Sequence, residues 1–182
     1  IGAEAARRAI ENAGITPDDI TLTITATNTP DHFFPSTSCL IQHKIGAKNT
    51  GGFDLSAACA GFVYGVIVGA RMIEADPRQI VLVVGSETLT KVTDYTDRSS
   101  CILFGDGAGA AVLRAARDGR GVLASEYGID GSGSEFMKLP AGGSAMPASE
   151  ETVRNKMHYM RVAGRETFRF AVVKMADLIV QA

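Results

Sequence analysis

The stretch FDLSAACAGFVYGVIVGARMIEA, residues 53–75, most restricts what this chain can fold into. Its first part reads as a strand and its second as a helix, and the two meet at Ala57, Ala58 and Cys59 with no room for a loop. From Ala60 onward the helix is apolar nearly all the way round until Arg71 and Glu74. A surface helix carries a polar face, so this one is expected to lie buried between two layers. Gly61, Gly65 and Gly69 recur at four-residue spacing and leave a stripe without side chains for close packing. A tightly enclosed central helix follows from that pattern.

The surrounding elements alternate. A first helix is expected up to about Asn12, closed by Gly14 as C-cap, and TPDD then leads into a strand over 20–27. After a loop over 30–35, Ser36 caps a short helix through 39–44 that Gly46 ends. Residues 50–56 read as a strand. IVLVVGSE, 80–87, is a β-branched run with little polar alternation, as in a strand buried on both faces. This order predicts an α/β sheet with parallel pairings.

Downstream, 88–100 is a polar loop long enough to serve in binding. CILFGDGAGAAVLRA, 101–115, has strand character at both ends, RDGRG at 117–121 is a turn, and 122–129 is another strand. The segment 140–149, rich in Gly, Ala, Ser and Pro, is expected to be a mobile surface loop. Phe168, Val172, Met175 and Ile179 mark a last helix. The chain opens and closes inside helical patterns, so it reads as the interior of a longer protein.

Formal net charge is only −2, with both signs mixed throughout, which argues against a nucleic-acid stripe or a polybasic membrane patch. The apolar run 59–70 is too short to span a bilayer before Arg71 interrupts it. A cytoplasmic enzyme or binding domain is the default. Three widely spaced cysteines argue against a disulfide framework or a zinc site.

Each cysteine is therefore a single thiol. A thiolate at a helix N-terminus faces unpaired N–H groups and the positive end of the helix dipole, which favour its charged form. A strand-to-helix elbow also exposes a side chain from a rigid backbone. For Cys59 that reading stands beside a plainer one, a small buried hydrophobe. Cys39 and Cys101 lack the setting and are expected in the core. GDGAGA, 105–110, resembles a nucleotide loop, but the apolar segment after it reads as a strand rather than the required helix. Its glycines are expected to let backbone pass close to a neighbouring strand or a pocket. His32, His43 and His158 are scattered, without metal spacing, and none is a convincing partner for a cysteine nucleophile.

Five segments, HFFPSTSC, DLSAACAGF, VLVVGSE, DYTDRSS and LFGDGAGAAVL, together resemble β-ketoacyl-acyl-carrier-protein synthase III of the thiolase superfamily, in that family's order and spacing along the whole chain. The resemblance implies a thiolase-like αβαβα layered fold. Residues 1–150 would form the N-terminal half with the nucleophile elbow, and 151–182 the beginning of a truncated C-terminal half. It implies Cys59 as the nucleophile. Arg98 matches an arginine that packs against the adenine of coenzyme A. Phe34 matches a phenylalanine that crosses a homodimer interface into the neighbour's acyl pocket, and Phe104 a residue near that pocket's floor.

The implied reaction is decarboxylative condensation of a short acyl-CoA, acetyl-CoA by expectation, with malonyl-acyl-carrier protein through a cysteine acyl-enzyme. It uses no cofactor beyond the thioester. Losing one oxyanion donor in such a reaction costs about 3 to 4 kcal/mol. The family's histidine and asparagine have no counterpart in these residues, nor has an N-terminal segment with further CoA contacts, so the chain as written is expected not to condense. The alternatives are a relative that passes its acyl group to a hydroxyl or amine, and a non-catalytic half-protein that offers a CoA-binding or interface surface.

Overall fold

Two buried strands, β1 (Leu22–Ala26) and β3 (Val81–Thr88), organise the first part of the molecule. The computed structural model describes residues 1–116 and 119–181. With β2 (Gly51–Leu55) and β4 (Asp106–Leu113) the two strands form a four-stranded sheet of order β2-β1-β3-β4. β1 runs parallel to both neighbours, with Ile24 opposite Phe53 on one side and Val83 on the other.

Alternate side chains feed two cores, as the two-residue period of a strand requires. Leu82 and Val84 join Ile20 and the buried faces of α1 (Gly2–Ala13) and α2 (Thr37–Ile45) through Ala6, Ile10, Ile41 and Ile45. Leu22, Ile24, Val81 and Val83 face the other way, toward Ile73 of α3 (Gly61–Ala75). Helices thus cover both faces of the parallel strands, and Val81 through Val84 are fully buried, as expected of that run. The caps also stand where the sequence places them. Gly14 and Gly46 end α1 and α2 with φ of 65° and 79°, and the Ser36 hydroxyl accepts the Cys39 N–H at 3.2 Å.

α3 presents two different faces. Its glycine stripe is packed as predicted: a Cβ added to Gly61 would stand 3.0 Å from Ala26 Cβ, and one on Gly65 2.8 Å from Val83 Cγ1. The opposite face is open among the described residues, with Val63 more than half exposed and Phe62 and Met72 more than a third. Among the described residues α3 is packed on one side. By length and composition Ala58–Ala75 could also cross a membrane, contrary to the reading from 59–70, but its buried side lies on the sheet.

Other expectations also change. Residues 101–104 form turns rather than a strand, and the strand begins at Asp106 and runs through the glycines themselves. A Cβ at Gly105, Gly107 or Gly109 would meet nothing within 4 Å, so no described neighbour approaches them closely. The segment 122–129 is irregular, with Leu123 and Ile129 exposed. It shows why β pattern alone is insufficient: a strand exists only with a ladder partner. Of the expected turn at 117–121, Arg117 and Asp118 lie outside the described residues, as does Ala182.

The chain divides into two compact units, one of Ile1–Glu87 with Asp106–Leu123, the other of Thr88–Gly105 with Ala124–Ala182. The second contains the short antiparallel pair β5 (Met137–Lys138) and β6 (Arg161–Val162), then α4 (Glu150–Arg154) and α5 (Gly164–Gln181). The expected loop at 140–149 is present and tied down. Ala141 is buried and donates to Met157 O at 3.0 Å, and Gly142 N–H reaches Met146 O at 2.9 Å. α5 leaves Phe168, Val172, Met175 and Ile179 exposed.

Candidate active site

The elbow is built by a strand that ends, a backbone that reverses and a helix whose glycine face is packed closely on the sheet. β2 stops at Leu55, and the Thr27 N–H to Leu55 O bond of 3.1 Å extends the pairing one residue past β1. Ala57 leaves the extended region at φ −147°, ψ 34°, and Ala58 takes a positive φ of 46°. That conformation costs an ordinary L-residue roughly 1–2 kcal/mol. Cys59 follows inside a single 3₁₀ turn, Ala58–Ala60, which runs directly into α3. The thiol is exposed, as a nucleophile requires, rather than a buried hydrophobe. Cys39 is exposed as well and Cys101 half-buried, so neither is the core residue that the sequence predicts.

The carboxyl ends of β1, β2 and β3 all lie on this side of the sheet, where parallel α/β sheets bind their ligands. A polar network that sequence reasoning missed joins them. Glu87, near the end of β3, accepts the Asn28 N–H at 2.8 Å and the Thr29 hydroxyl at 2.6 Å. Asn28 Oδ1 accepts the Ser56 hydroxyl at 2.8 Å. Asp54, also unrecognised, caps α2 from outside by accepting the N–H groups of Thr37 at 2.6 Å and Ser38 at 2.8 Å. The available signal was a carboxylate set in an otherwise apolar strand, at VVGSE and at GFDL.

Phe34 belongs to the same unit and stands 86% exposed in the loop before α2, beside an equally open Phe33. Arg98 and Phe104 belong to the other unit. Arg98 is exposed and sits in the second of two successive turns closed by aspartates. Asp94 accepts from Thr96 N at 2.9 Å and Thr96 Oγ1 at 2.7 Å, while Asp97 accepts from Ser99 N at 3.0 Å, Ser99 Oγ at 2.6 Å and Ser100 Oγ at 2.6 Å. The Ser100 hydroxyl first, then Ser99, holds the Asp97 carboxyl below the usual carboxylate range. Thr96 does the same for Asp94, with a smaller part from Lys156, whose ammonium stands 3.2 Å away. Phe104 is half-buried just ahead of β4.

His32 and His43 are exposed, and His158 Nε2 lies 2.9 Å from Thr152 Oγ1. Among the described residues no group of three or more His, Cys, Asp or Glu is placed to hold a metal ion.

Comparison with known proteins places the chain among named synthases. The family model for 3-oxoacyl-[acyl-carrier-protein (ACP)] synthase III matches residues 53–131, which include Cys59, Arg98 and Phe104. A β-ketoacyl-[acyl-carrier-protein] synthase III of Desulfitobacterium hafniense is 49% identical over 179 residues, 98% of this chain and 54% of that protein. Over the residues it spans, the chain belongs to the synthase III family. The crystal structure of the 3-oxoacyl-[acyl-carrier-protein] synthase III of Aquifex aeolicus superposes with a TM-score of 0.81 at 37% identity, covering 93% of this chain and 50% of that one. The priming β-ketosynthase of the R1128 polyketide pathway gives 0.80 at 36%, covering 98% and 52%. The fold is accordingly the α/β thiolase-type fold of these synthases. The chain spans about half the length of the relatives it matches.

Proposed function

We propose that the native protein starts fatty-acid synthesis by condensing a short acyl-CoA, acetyl-CoA first among them, with malonyl-acyl-carrier protein. The observation that carries this reading is Cys59, exposed on a strained elbow at the carboxyl end of β2, in a chain whose relatives are named for that synthase. The Cys59 thiolate attacks the thioester carbonyl, the carbon–sulfur bond to coenzyme A breaks, and coenzyme A leaves with a proton as the free thiol. Malonyl-acyl-carrier protein then loses CO₂, and the resulting enolate attacks the cysteine-bound acyl group. The products are a 3-oxoacyl-carrier protein and the restored thiol. The backbone N–H of Cys59 is proposed as one oxyanion donor. Coenzyme A enters as part of the substrate, and the steps as written need no other cofactor.

In this reading Arg98 stacks on the adenine of coenzyme A, Phe104 lines the acyl pocket, and Phe34 enters the pocket of a second copy in a homodimer. Residues 151–182 begin the C-terminal half, which supplies the histidine and asparagine that stabilise the enolate. The work belongs in the cytoplasm, where acyl-CoA and the carrier protein meet. The likeness to the R1128 priming ketosynthase supports a second reading, the same chemistry used for a secondary-metabolite starter unit.

The native protein incubated with acetyl-CoA is expected to gain one acetyl group by intact mass, mapped to Cys59 and absent in Cys59→Ser. An unmodified protein, or an adduct elsewhere, would remove Cys59 from the mechanism.

A further inference from the structure

We infer that Glu87 is a positioning residue for Cys59, acting through Asn28 and Ser56 on the strand end from which the elbow departs. The inference rests on the reading of Cys59 as nucleophile. A non-glycine residue at positive φ persists only where its surroundings over-determine it, and Ala58 at 46° is such a residue. On the helix side the brace is visible. Gly61 lies so close on Ala26 that an added Cβ would be 3.0 Å from the alanine methyl, which fixes the start of α3 to β1.

On the strand side the backbone pairing ends with Thr27 N–H on Leu55 O. Beyond it the tie continues through side chains. Ser56, two residues before Ala58, donates to Asn28 Oδ1 at 2.8 Å. Asn28 would swing with its own loop if nothing held it. Glu87 holds it, taking the Asn28 N–H on one oxygen at 2.8 Å and the Thr29 hydroxyl on the other at 2.6 Å. Hydrogen bonds to a carboxylate are about twice as strong as neutral ones, which suits this residue to anchor a loop. β3 thereby carries, through β1's loop, a constraint on the exit of β2.

Glu87→Ala in the native protein removes both acceptors, whereas Glu87→Gln keeps one and a side chain of the same reach. With acetyl-CoA as probe, the saturating rate of Cys59 acylation in single turnovers is expected to fall at least tenfold in Glu87→Ala. The half-saturating concentration stays within twofold, and Glu87→Gln stays within threefold of the native rate. Ser56→Ala, a small change at an exposed site, reproduces the loss and decides alone if Glu87→Ala does not fold. Alkylation of Cys39 by iodoacetamide reports general opening and stays unchanged in all the variants, while that of Cys59 falls where acylation falls. A native saturating rate in Ser56→Ala overturns the proposal. So does a change confined to the half-saturating concentration, or accelerated alkylation of both cysteines together. No adduct on Cys59 in the native protein overturns the nucleophile reading itself, and this proposal with it.

Discussion

Cys39 and Cys59 are both open to solvent, so what separates them is backbone setting rather than access. Cys39 lies in the first turn of α2, whose start the Ser36 hydroxyl and the Asp54 carboxylate already serve. Cys59 sits on a turn of its own, and that placement was legible in the sequence because an apolar strand met an apolar helix without a loop. Arg98 carries the test at this scale. Its exposed guanidinium, on a loop held by Asp94 and Asp97, is expected to serve ground-state binding. Arg98→Ala should raise KM for acyl-CoA about tenfold and leave kcat within twofold, the signature of uniform binding lost. An unchanged KM in steady-state kinetics removes Arg98 from the coenzyme site. The strain at Ala58 and the partners of Asp54 and Glu87 were not legible. Alanine rarely takes positive φ, and a carboxylate's partners depend on which strands become neighbours.

Among the elements, α3 shows how a sequence pattern can be read for contact on one face while the other face stays open among the described residues. Its glycine stripe predicted close packing, and the close neighbours are Ala26, Val83 and Val81. The apolar remainder predicted a second covering layer, and no described residue supplies one. Gly65→Ala tests the packed side. The new methyl would stand 2.8 Å from Val83 Cγ1, on a fully buried β-branched side chain that cannot turn away. A loss of about 1–3 kcal/mol is expected in urea unfolding of the native protein, larger than the gain in helix propensity, and an unchanged midpoint would show that the sheet yields. Helix boundaries were legible to within a residue or two because caps are local, as at Gly14, Ser36 and Gly46. The segments 101–104 and 122–129 were not, because β pattern says nothing of whether a partner strand is present.

For the whole molecule, acid is the informative variable. Asp19, Asp76, Asp94, Asp97 and Asp130 all have carboxyls held below the usual range by neighbouring donors. Asp76 is brought to about 2, first by the Arg78 guanidinium, which reaches its two oxygens at 2.9 and 3.0 Å. A carboxyl whose folded value is depressed contributes fully above the unfolded value near 4 and loses that contribution as pH falls through the folded one. The urea midpoint of the native protein should therefore decline as pH drops from about 4 to 2, and Asp76→Asn should flatten that decline. A parallel decline in the variant would show that Asp76 contributes nothing.

The glycine stripe has a consequence in time as well as space. Three glycines in fifteen residues make α3 a poor helix by itself, each costing about 1 kcal/mol relative to alanine. The surface that compensates for them, β1 beside β3, forms only when Leu22 finds Val81 far along the chain, and such distant pairings slow folding. Without that surface nothing holds the segment around Cys59 in its elbow. The placement of that one side chain thus depends on a contact between residues far apart in the sequence.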